Sequence, residues 1–285
     1  MSLADPATIA TPPALAVRAA GRTDTGRVRQ SNEDHYLIAE LVRTLWVRES
    51  SLPQPATQYG RNRGYLFLVA DGMGGHQAGE VASALGVEVV EDHVLHLLRR
   101  FSNLKASDEP GVLRDFKEAL READDRIVEE AAHDPRLAGM GTTLTLAFAS
   151  GWRLFVFHAG DSRCYLFRGG QLRQVTADEN VAAGLARLGV IKPEEVKHHR
   201  FRHVVTNILG RGEVEVQVEH VDLQPGDAVL LCSDGLTGML PDGRLAAVLG
   251  SEGDPRAAYD RLVAEANEAG GRDNITAVVA RFDAA

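Results

Sequence analysis

The stretch Tyr65–Gly75, with the sequence YLFLVADGMGG, carries the most informative pattern of apolar and polar positions in the chain. Its unbroken apolar run is short and contains β-branched and aromatic residues, so it predicts a buried strand rather than a helix. The run stops at Asp71. Gly72 follows, where the absence of a side chain would let the backbone turn sharply and present a carbonyl beside the carboxylate. The same order, an apolar run and then an acid, recurs at Asp161 and at Asp234.

The rest of the chain alternates between the periods of strands and of helices. Apolar residues repeating every three or four positions predict two helices in the first half, Ala78–Arg100 and a second one from about Leu113 to Asp134. From Gly141 onward, short apolar runs split by tight turns predict an antiparallel meander. The predicted strands are Val17–Thr23, Tyr36–Val47, Thr142–Ala149, Arg153–His158, Cys164–Arg168, Gln171–Val175, Val214–Val221, Ala228–Cys232 and a final run from Ile275, with helices at Gly243–Leu249 and Pro255–Glu268.

Strands near both ends, with one helical pair in the middle and another near the C-terminus, do not alternate as in a doubly wound sheet. We therefore predict an α+β fold in which antiparallel sheets are covered by helix pairs. Residues 1–15, rich in Ala, Pro and Thr, are predicted to form a disordered tail, and residues 16–285 a single domain. Two polar segments interrupt the pattern. Arg48–Arg63 is interpreted as a long loop or hairpin tip, and Asp178–Gly210 as an excursion from the sheet.

Composition narrows the range of partners and compartments. The formal net charge of −9 argues against a nucleic-acid partner, because phosphate backbones attract basic surfaces. No apolar stretch reaches the roughly 18 residues of a membrane span, and the N-terminus lacks the basic region of a signal peptide. The cysteines Cys164 and Cys232 lie in apolar runs and are interpreted as buried packing thiols. Two such thiols indicate a reducing compartment, so we expect a cytoplasmic protein.

A set of aspartates marks the points where predicted strands begin or end: Asp34, Asp71, Asp161, Asp234 and Asp273. No Cys or His stands at ligand spacing beside them, and an oxygen-only site of this kind suits Mg²⁺ or Mn²⁺ rather than Zn²⁺ or Cu²⁺. Two such ions can lower the pKa of a shared water and hold phosphate oxygens for an in-line attack. Arg29, upstream of the first acid, is a candidate for the planar cation that a phosphate dianion needs.

Each of these features has a simpler structural alternative. A single Asp-Gly pair after a strand is usually only a turn. In the same way Asp161 could cap the turn in GDSR, and Arg29 could be a solvated surface residue. His93 and His96 have a spacing on a predicted helix that can bind metal, but no third ligand is evident. The number of acids that end apolar runs favours divalent-metal phosphoester chemistry over these alternatives.

Longer blocks of sequence surround the acids: RQSNED from Arg29 to Asp34, ADGMGGHQAGEVAS at Ala70–Ser83, MGTTLTLAF at Met140–Phe148, AGDSRCYLFRGGQLRQVTADEN at Ala159–Asn180, CSDGL at Cys232–Leu236 and RDNITAVV at Arg272–Val279. In this order they resemble the signatures of PPM-type, or type 2C, protein phosphatases. The second block is similar to the form found in the bacterial branch, whose members reverse Ser/Thr kinases. The resemblance implies a four-layer α-β-β-α sandwich of two antiparallel sheets flanked by helix pairs. It also implies a metal cluster at one sheet edge and a flap at about 178–210 that shapes substrate choice.

The resemblance also implies roles for the acids at matching positions. Asp71 would bridge two metal ions, and the backbone carbonyl of Gly72 would bind one of them. Asp234 and Asp273 would complete the ligands of this pair. Asp34 matches an acid that reaches the first metal through water.

Other positions extend the family's pattern or depart from it. Asp161 matches the acid of an additional, weaker metal site in bacterial members, so two or three Mn²⁺ or Mg²⁺ ions are expected, and Arg29 matches the phosphate-binding arginine. Eukaryotic members carry a proton-donating histidine directly after the Asp-Gly pair. Here that place is Met73, as is usual in the bacterial branch, so the general acid is unassigned; His76 fits a packing role better. The segment Ala39–Arg63 is longer than the hairpin usual there, and its function cannot be read from the sequence.

The leading hypothesis is a metal-dependent phosphatase that hydrolyses phosphoserine and phosphothreonine in proteins and opposes a Ser/Thr kinase. A metal-bridged hydroxide would attack phosphorus directly, without a phosphoenzyme, while Arg29 and the metals neutralise the developing charge. The alternatives are a phosphoprotein-binding regulatory module with little catalysis and a hydrolase of small phosphomonoesters. The complete set of acids favours an enzyme over the module, and the sequence indicates no oligomeric state.

Overall fold

The computed structural model describes residues 14–46, 57–74, 78–97 and 109–285 of the chain. Its strands are β1 (Leu15–Asp24), β2 (Asp34–Trp46), β3 (Thr57–Met73), β4 (Gly141–Thr142), β5 (Leu144–Ser150), β6 (Arg153–Ala159), β7 (Arg163–Arg168), β8 (Gln171–Gln174), β9 (Gln217–Asp222), β10 (Asp227–Cys232) and β11 (Ile275–Ala284). Its α-helices are α1 (Ala78–Leu97), α2 (Glu109–His133), α3 (Val181–Arg187), α4 (Asp234–Thr237), α5 (Asp242–Ser251) and α6 (Pro255–Glu268). Within these residues, no helix combines the length and the apolar character needed to cross a bilayer.

The strands form two antiparallel sheets that face each other. One sheet has the order β2-β3-β5-β6-β9, with β4 pairing beside the end of β3, and the other has the order β1-β11-β10-β7-β8. Helices α1 and α2 pack on the outer face of the first sheet, and α5 and α6 on the outer face of the second. The predicted α+β class and its four layers are therefore confirmed.

The apolar run in β3 is unbroken because both faces of that strand are buried. Leu66, Leu68 and Ala70 point into the core shared with α1 and α2, whereas Phe67 and Val69 point into the core between the two sheets. A strand covered on both sides loses the alternation that a half-exposed strand shows. At about 25 cal/mol per Å² of apolar surface, burial on both faces makes such a strand a main contributor to the stability of the fold.

The predicted meander from Gly141 onward is wrong. Strands β5 and β6 form a hairpin in the first sheet, but β7 and β8 form a hairpin in the second, where β7 pairs with β10. The chain crosses between the sheets at Gly160, which has a φ of +122° and lies against Thr143 so closely that a Cβ would be 2.6 Å from its side chain. Short strands with tight turns look alike in sequence whether the turn closes a hairpin or changes sheets. The crossover leaves Asp161 at the edge between the two sheets.

The β2–β3 hairpin is longer than predicted. Pairing between the two strands extends to Trp46 and Thr57, with an irregularity after Val42, so the residues from 57 to 63 belong to a strand and not to the predicted loop Arg48–Arg63. Positions 47–56, at the expected tip, lie outside the described residues. The same is true of positions 1–13 of the expected N-terminal tail, and β1 begins at Leu15.

The segment Asp178–Gly210 contributes no strand to either sheet, in agreement with its prediction as an excursion, and is called the flap below. Its two ends are tied together where the Thr206 N–H donates to the Glu179 carbonyl at 2.7 Å. Its far end is held by Asp124, a buried acid of α2 that sequence reasoning did not single out. The Asp124 carboxylate accepts backbone N–H groups from four positions at 2.6–3.1 Å: Gly210, Arg211, Gly212 and Val214.

Candidate metal centre

The fold brings the predicted acids together at one edge of the sandwich. Asp34 and Asp71 are directly opposite each other in the β2–β3 pair. Asp234 begins α4 at the end of β10, and Asp273 lies just before β11. A cleft of about 780 Å³ opens here, and its lining includes Asp71, Asp161, Asp234 and Asp273. Asp34 is buried and does not line the cleft.

Asp34 is a buried carboxylate with one unpartnered oxygen. Its Oδ2 accepts hydrogen bonds from the Ser233 hydroxyl at 2.7 Å and the Thr276 hydroxyl at 2.6 Å. Its Oδ1 has no hydrogen-bond partner among the described residues. Burial raises the pKa of Asp34 to about 7, and the charges of neighbouring acids add to the effect although the two hydroxyls oppose it. A buried oxygen without a partner is rare in native proteins and marks a place for a water or a cation.

Asp71 is fixed through its backbone. Its N–H donates to the Thr143 hydroxyl at 3.1 Å, and its carbonyl accepts the Thr143 N–H at 2.9 Å and the Thr142 hydroxyl at 3.0 Å. Burial, followed by the charge of Asp34 and then of Asp234, raises the pKa of the Asp71 carboxyl well above its usual value. Both effects disfavour the charged form, and a bound cation would reverse them.

Gly72 is required here for a reason other than the predicted sharp turn. Strand β3 continues through it to Met73, and Gly72 pairs with Thr142 of β4. Its φ lies outside the left-handed region, but a Cβ at this position would be 2.1 Å from the carbonyl oxygen of Gly79 and 2.7 Å from that of Glu33. The absence of a side chain therefore lets the start of α1 and the residue before β2 approach the strand beside Asp71.

Asp161 contributes a third acid whose ionisation is disfavoured. It is 6% exposed, and its pKa is raised to about 7, first by burial and then by the charges of Asp234 and Asp178. Arg163 opposes this shift only in part, because its guanidinium is bound to Asp178 with Nε at 2.8 Å from Oδ1 and Nη2 at 2.6 Å from Oδ2. At Asp161, the nearby guanidinium thus does not cancel the repulsion from the neighbouring carboxylates.

Mn²⁺ and Mg²⁺ fit this donor set. The acids provide hard oxygen ligands, and one buried oxygen, Oδ1 of Asp34, lacks a partner among the described residues. In the described ranges, no three side chains of Asp, Glu, His or Cys converge on one point as a complete ligand group. An ion here would therefore need further oxygen ligands such as water, which is usual for Mg²⁺.

Arg29 lies at the mouth of the cleft, as the phosphate-binding assignment requires, but it makes an ion pair. Its Nη2 donates to Oδ2 of Asp273 at 2.8 Å, and its side chain is 53% exposed. A guanidinium has five N–H donors, so this hydrogen bond leaves further donors on a side chain that lines the cleft. The arginine compensates one of the acids and still presents positive charge to a ligand.

Asn274 is a positioning residue that sequence reasoning missed. Its Oδ1 accepts the Glu33 N–H at 2.9 Å, and its Nδ2 donates to the carbonyls of Thr25 at 3.1 Å and Ser31 at 2.9 Å. The loop that carries Arg29 is thereby fixed to the start of β11. An asparagine beside an acid at the start of a strand is the only local signal, and it gives no information about a partner so distant in sequence.

Two of the histidines, His93 and His203, have an acidic side chain as a partner. His93 pairs with Glu122 of the neighbouring helix at 3.0 Å, away from the acids, while His76 and the side chain of His96 lie outside the described residues. Met73 lines the cleft. His203 of the flap, which sequence reasoning did not select, also lines it, with Nδ1 at 3.6 Å from Oδ2 of Asp234.

Comparisons with known proteins agree with this geometry. A family model described as Protein phosphatase 2C matches residues 47–269. The serine/threonine phosphatase Stp of Listeria monocytogenes is 34% identical over 263 residues, which make up 92% of this chain and 94% of Stp. The serine/threonine protein phosphatase PstP of Mycobacterium tuberculosis is 37% identical over 268 residues, 93% of this chain and 45% of PstP.

Solved structures show the same similarity in three dimensions. A crystal structure of PstP from M. tuberculosis has a TM-score of 0.76 at 33% identity and covers 94% of this chain and 99% of that one. The catalytic domain of PstP in complex with two manganese ions has a TM-score of 0.73, again at 33% identity and with coverage of 94% and 99%.

Proposed function

The chain belongs to the protein phosphatase 2C family, and we propose that the acids of its cleft give it the activity of a metal-dependent protein serine/threonine phosphatase. The observation that carries this proposal is the pair Asp34 and Asp71, two acids directly opposite each other on neighbouring strands, with pKa values raised by burial and by the charges of neighbouring acids. Acids in this arrangement bind divalent cations. With Arg29 at the mouth of the same cleft, the site combines a cation centre with a phosphate-binding group.

The proposed ligands of two Mn²⁺ or Mg²⁺ ions are those that the family resemblance implies, and the convergence of the acids at one cleft supports them. Asp71 would bridge the two ions, with the Gly72 carbonyl, Asp234 and Asp273 completing the protein ligands. Asp34 would act through a water, for which its Oδ1 is available. When bound, such ions lower the pKa of water and polarise phosphoryl oxygens.

A third ion and the phosphate group are assigned to the remaining residues. Asp161, with its raised pKa and its place beside Asp234, is the proposed ligand of an additional, weaker ion. The N–H donors of Arg29 that do not bind Asp273 would hold the phosphate oxygens and stabilise the charge that develops on them. The leaving serine or threonine oxygen needs a proton, and Met73 has no proton to give.

Phosphate release from a phosphothreonine peptide in the presence of Mn²⁺ tests the function directly. We expect turnover that EDTA abolishes, and a fall of at least about 100-fold in kcat for Asp71→Asn and Asp234→Asn. Asp260→Asn, which removes an exposed acid of α6 outside the cleft, is the control and should keep native activity. Activity that survives both EDTA and Asp71→Asn would refute the mechanism, and full activity in Asp234→Asn would refute that ligand assignment.

The same preparation separates the alternatives. Tight Mn²⁺ binding without turnover of any phosphopeptide would indicate a regulatory binding module. Faster turnover of small phosphomonoesters than of phosphoproteins would indicate a metabolite hydrolase.

We further propose that the protein opposes a Ser/Thr kinase in the cytoplasm. The two thiols support a reducing compartment, because Cys164 faces the core between the sheets and Cys232 the core under α5 and α6. Because the two thiols lie on opposite faces of one sheet, they do not form a disulfide with each other. A comparison of the phosphoproteome with native protein and with Asp71→Asn tests the proposal; an unchanged set of phosphoserine and phosphothreonine sites would contradict it.

A further inference from the structure

The flap segment Lys197–His203 is a concentration of positive charge in an acidic protein. Its sequence, KHHRFRH, contains basic and aromatic side chains and no acid, whereas the whole chain has a formal net charge of −9. Arg202 and His203 of this segment line the same cleft as the acids, together with Arg272 from the loop before β11. The rim of the cleft is therefore positive where its floor is negative.

The positive segment is held in a defined shape. The Arg202 N–H donates to the His199 carbonyl at 3.2 Å and the Val204 N–H to the Phe201 carbonyl at 3.1 Å. The Phe201 ring lies between its neighbours, with the Arg200 guanidinium carbon 4.4 Å from its centroid and the His199 ring at 5.6 Å. These turns fix the backbone of Arg202, and the stacked rings precede it directly in the chain, so the directions open to the Arg202 side chain are limited.

The cations of the rim differ in whether they already have a partner. Arg29 is paired with Asp273 and His203 with Asp234. For Arg202 and Arg272, by contrast, no ion pair or side-chain hydrogen bond is found with any described residue. If these two arginines served only to neutralise the floor, they would be expected to bind its acids as Arg29 does.

We propose that Arg202 and Arg272 bind acidic residues that flank the phosphorylated residue of the substrate, so that the cleft selects phosphoserine and phosphothreonine in acidic sequences. The inference rests on the proposed function and adds a preference for carboxylate-bearing flanks. Arginine suits the role because its planar guanidinium binds carboxylates through paired hydrogen bonds. Positive charges at the rim also attract an acidic peptide toward the cleft.

The test compares three phosphothreonine peptides that differ only in the flanking positions, which carry Glu, Gln or Lys. An exposed ion pair changes an equilibrium by about two- to fivefold, so two arginines predict kcat/KM about tenfold higher for the Glu peptide than for the Gln peptide. The preference should weaken as salt is added, because exposed charges are screened. In the double variant Arg202→Gln with Arg272→Gln, the ratio of the two peptides should fall to about one. Because a ratio is measured, a general loss of activity in the variant does not affect the result.

Arg173→Gln is the matched control, since Arg173 is an exposed arginine of β8 that does not line the cleft. It should keep the native ratio. Equal kcat/KM for the Glu and Gln peptides in the native protein, or an unchanged ratio in the double variant, would overturn the inference while leaving the phosphatase activity standing. Absence of Mn²⁺-dependent turnover on the peptides and also on p-nitrophenyl phosphate would instead overturn the proposed function.

Discussion

The loss of stability on removal of divalent cations should depend on pH, because the acids of the cleft are crowded and buried. Asp34 and Asp161 both have pKa values raised from the usual 3.8 to about 7, and burial is the largest cause for each. A group whose pKa is higher in the folded state favours folding most when it is protonated. In the metal-free protein, these acids should therefore make their full contribution to the free energy of unfolding below about pH 4. That contribution should be lost as the pH rises through 7.

The size of the effect follows from the shift in pKa. Each pKa unit corresponds to about 1.4 kcal/mol, so a rise from 3.8 to about 7 makes either acid, taken alone, cost roughly 4 kcal/mol once it is fully ionised. Mn²⁺ acts in the opposite direction, because it binds the ionised carboxylates and displaces their protons. The stabilisation by Mn²⁺ should therefore grow between pH 5.5 and pH 8, because the bound ion offsets roughly the cost of ionising the acids. Below about pH 7, Mn²⁺ binding should also release protons.

Thermal unfolding in EDTA and in saturating Mn²⁺ between pH 5.5 and 8.5 measures both trends. The difference between the two conditions at each pH isolates the acids, since the buried His158, whose pKa is lowered by burial, affects both forms. Asp34→Asn removes one of the titrating acids, so its metal-free form should lose less stability with rising pH, whereas Asp260→Asn should behave like the native protein. The reasoning is refuted if the stabilisation by Mn²⁺ is the same at pH 5.5 and pH 8, or if the metal-free protein is most stable at alkaline pH.

Three substitutions and one control, Gly243→Ala, test the residues that support the site without removing any of its acids. Asp124→Ala leaves four backbone N–H groups without their acceptor and should lower the free energy of unfolding by about 4 kcal/mol in urea titrations. Gly72→Ala introduces a Cβ 2.1 Å from a carbonyl oxygen and should weaken Mn²⁺ binding about tenfold or more in calorimetry. Gly243→Ala, in helix α5 with open space around it, should be neutral or stabilising by up to about 1 kcal/mol. Asn274→Ala frees the loop of Arg29 and should raise KM about tenfold for a phosphopeptide, a result that equal KM values would contradict.

The sequence predicted the strands and helices well, because their signals are local. Helix α6 has the predicted bounds, Pro255–Glu268, where a proline begins the helix and the apolar stripe continues to its end. The assignment of strands to sheets could not be predicted in the same way. Runs buried on both faces, such as those of β5 and β7, have no polar alternation to show which neighbour covers them, and the turn after β6 is as short as a hairpin turn although it changes sheets.

The acids of the site could be found from the sequence, but not what holds them in place. Ser233 and Thr276 complete the environment of Asp34 from positions that are far away along the chain, and only the pairing of β11 with β10 brings them together. The crossover at Gly160 is the clearest case, since the feature that made the meander prediction wrong is the one that makes the site possible. In a meander, Asp161 would lie in a hairpin turn of a single sheet. Because the chain instead passes from one sheet to the other, Asp161 lies between the two and faces Asp71 and Asp234 in the cleft.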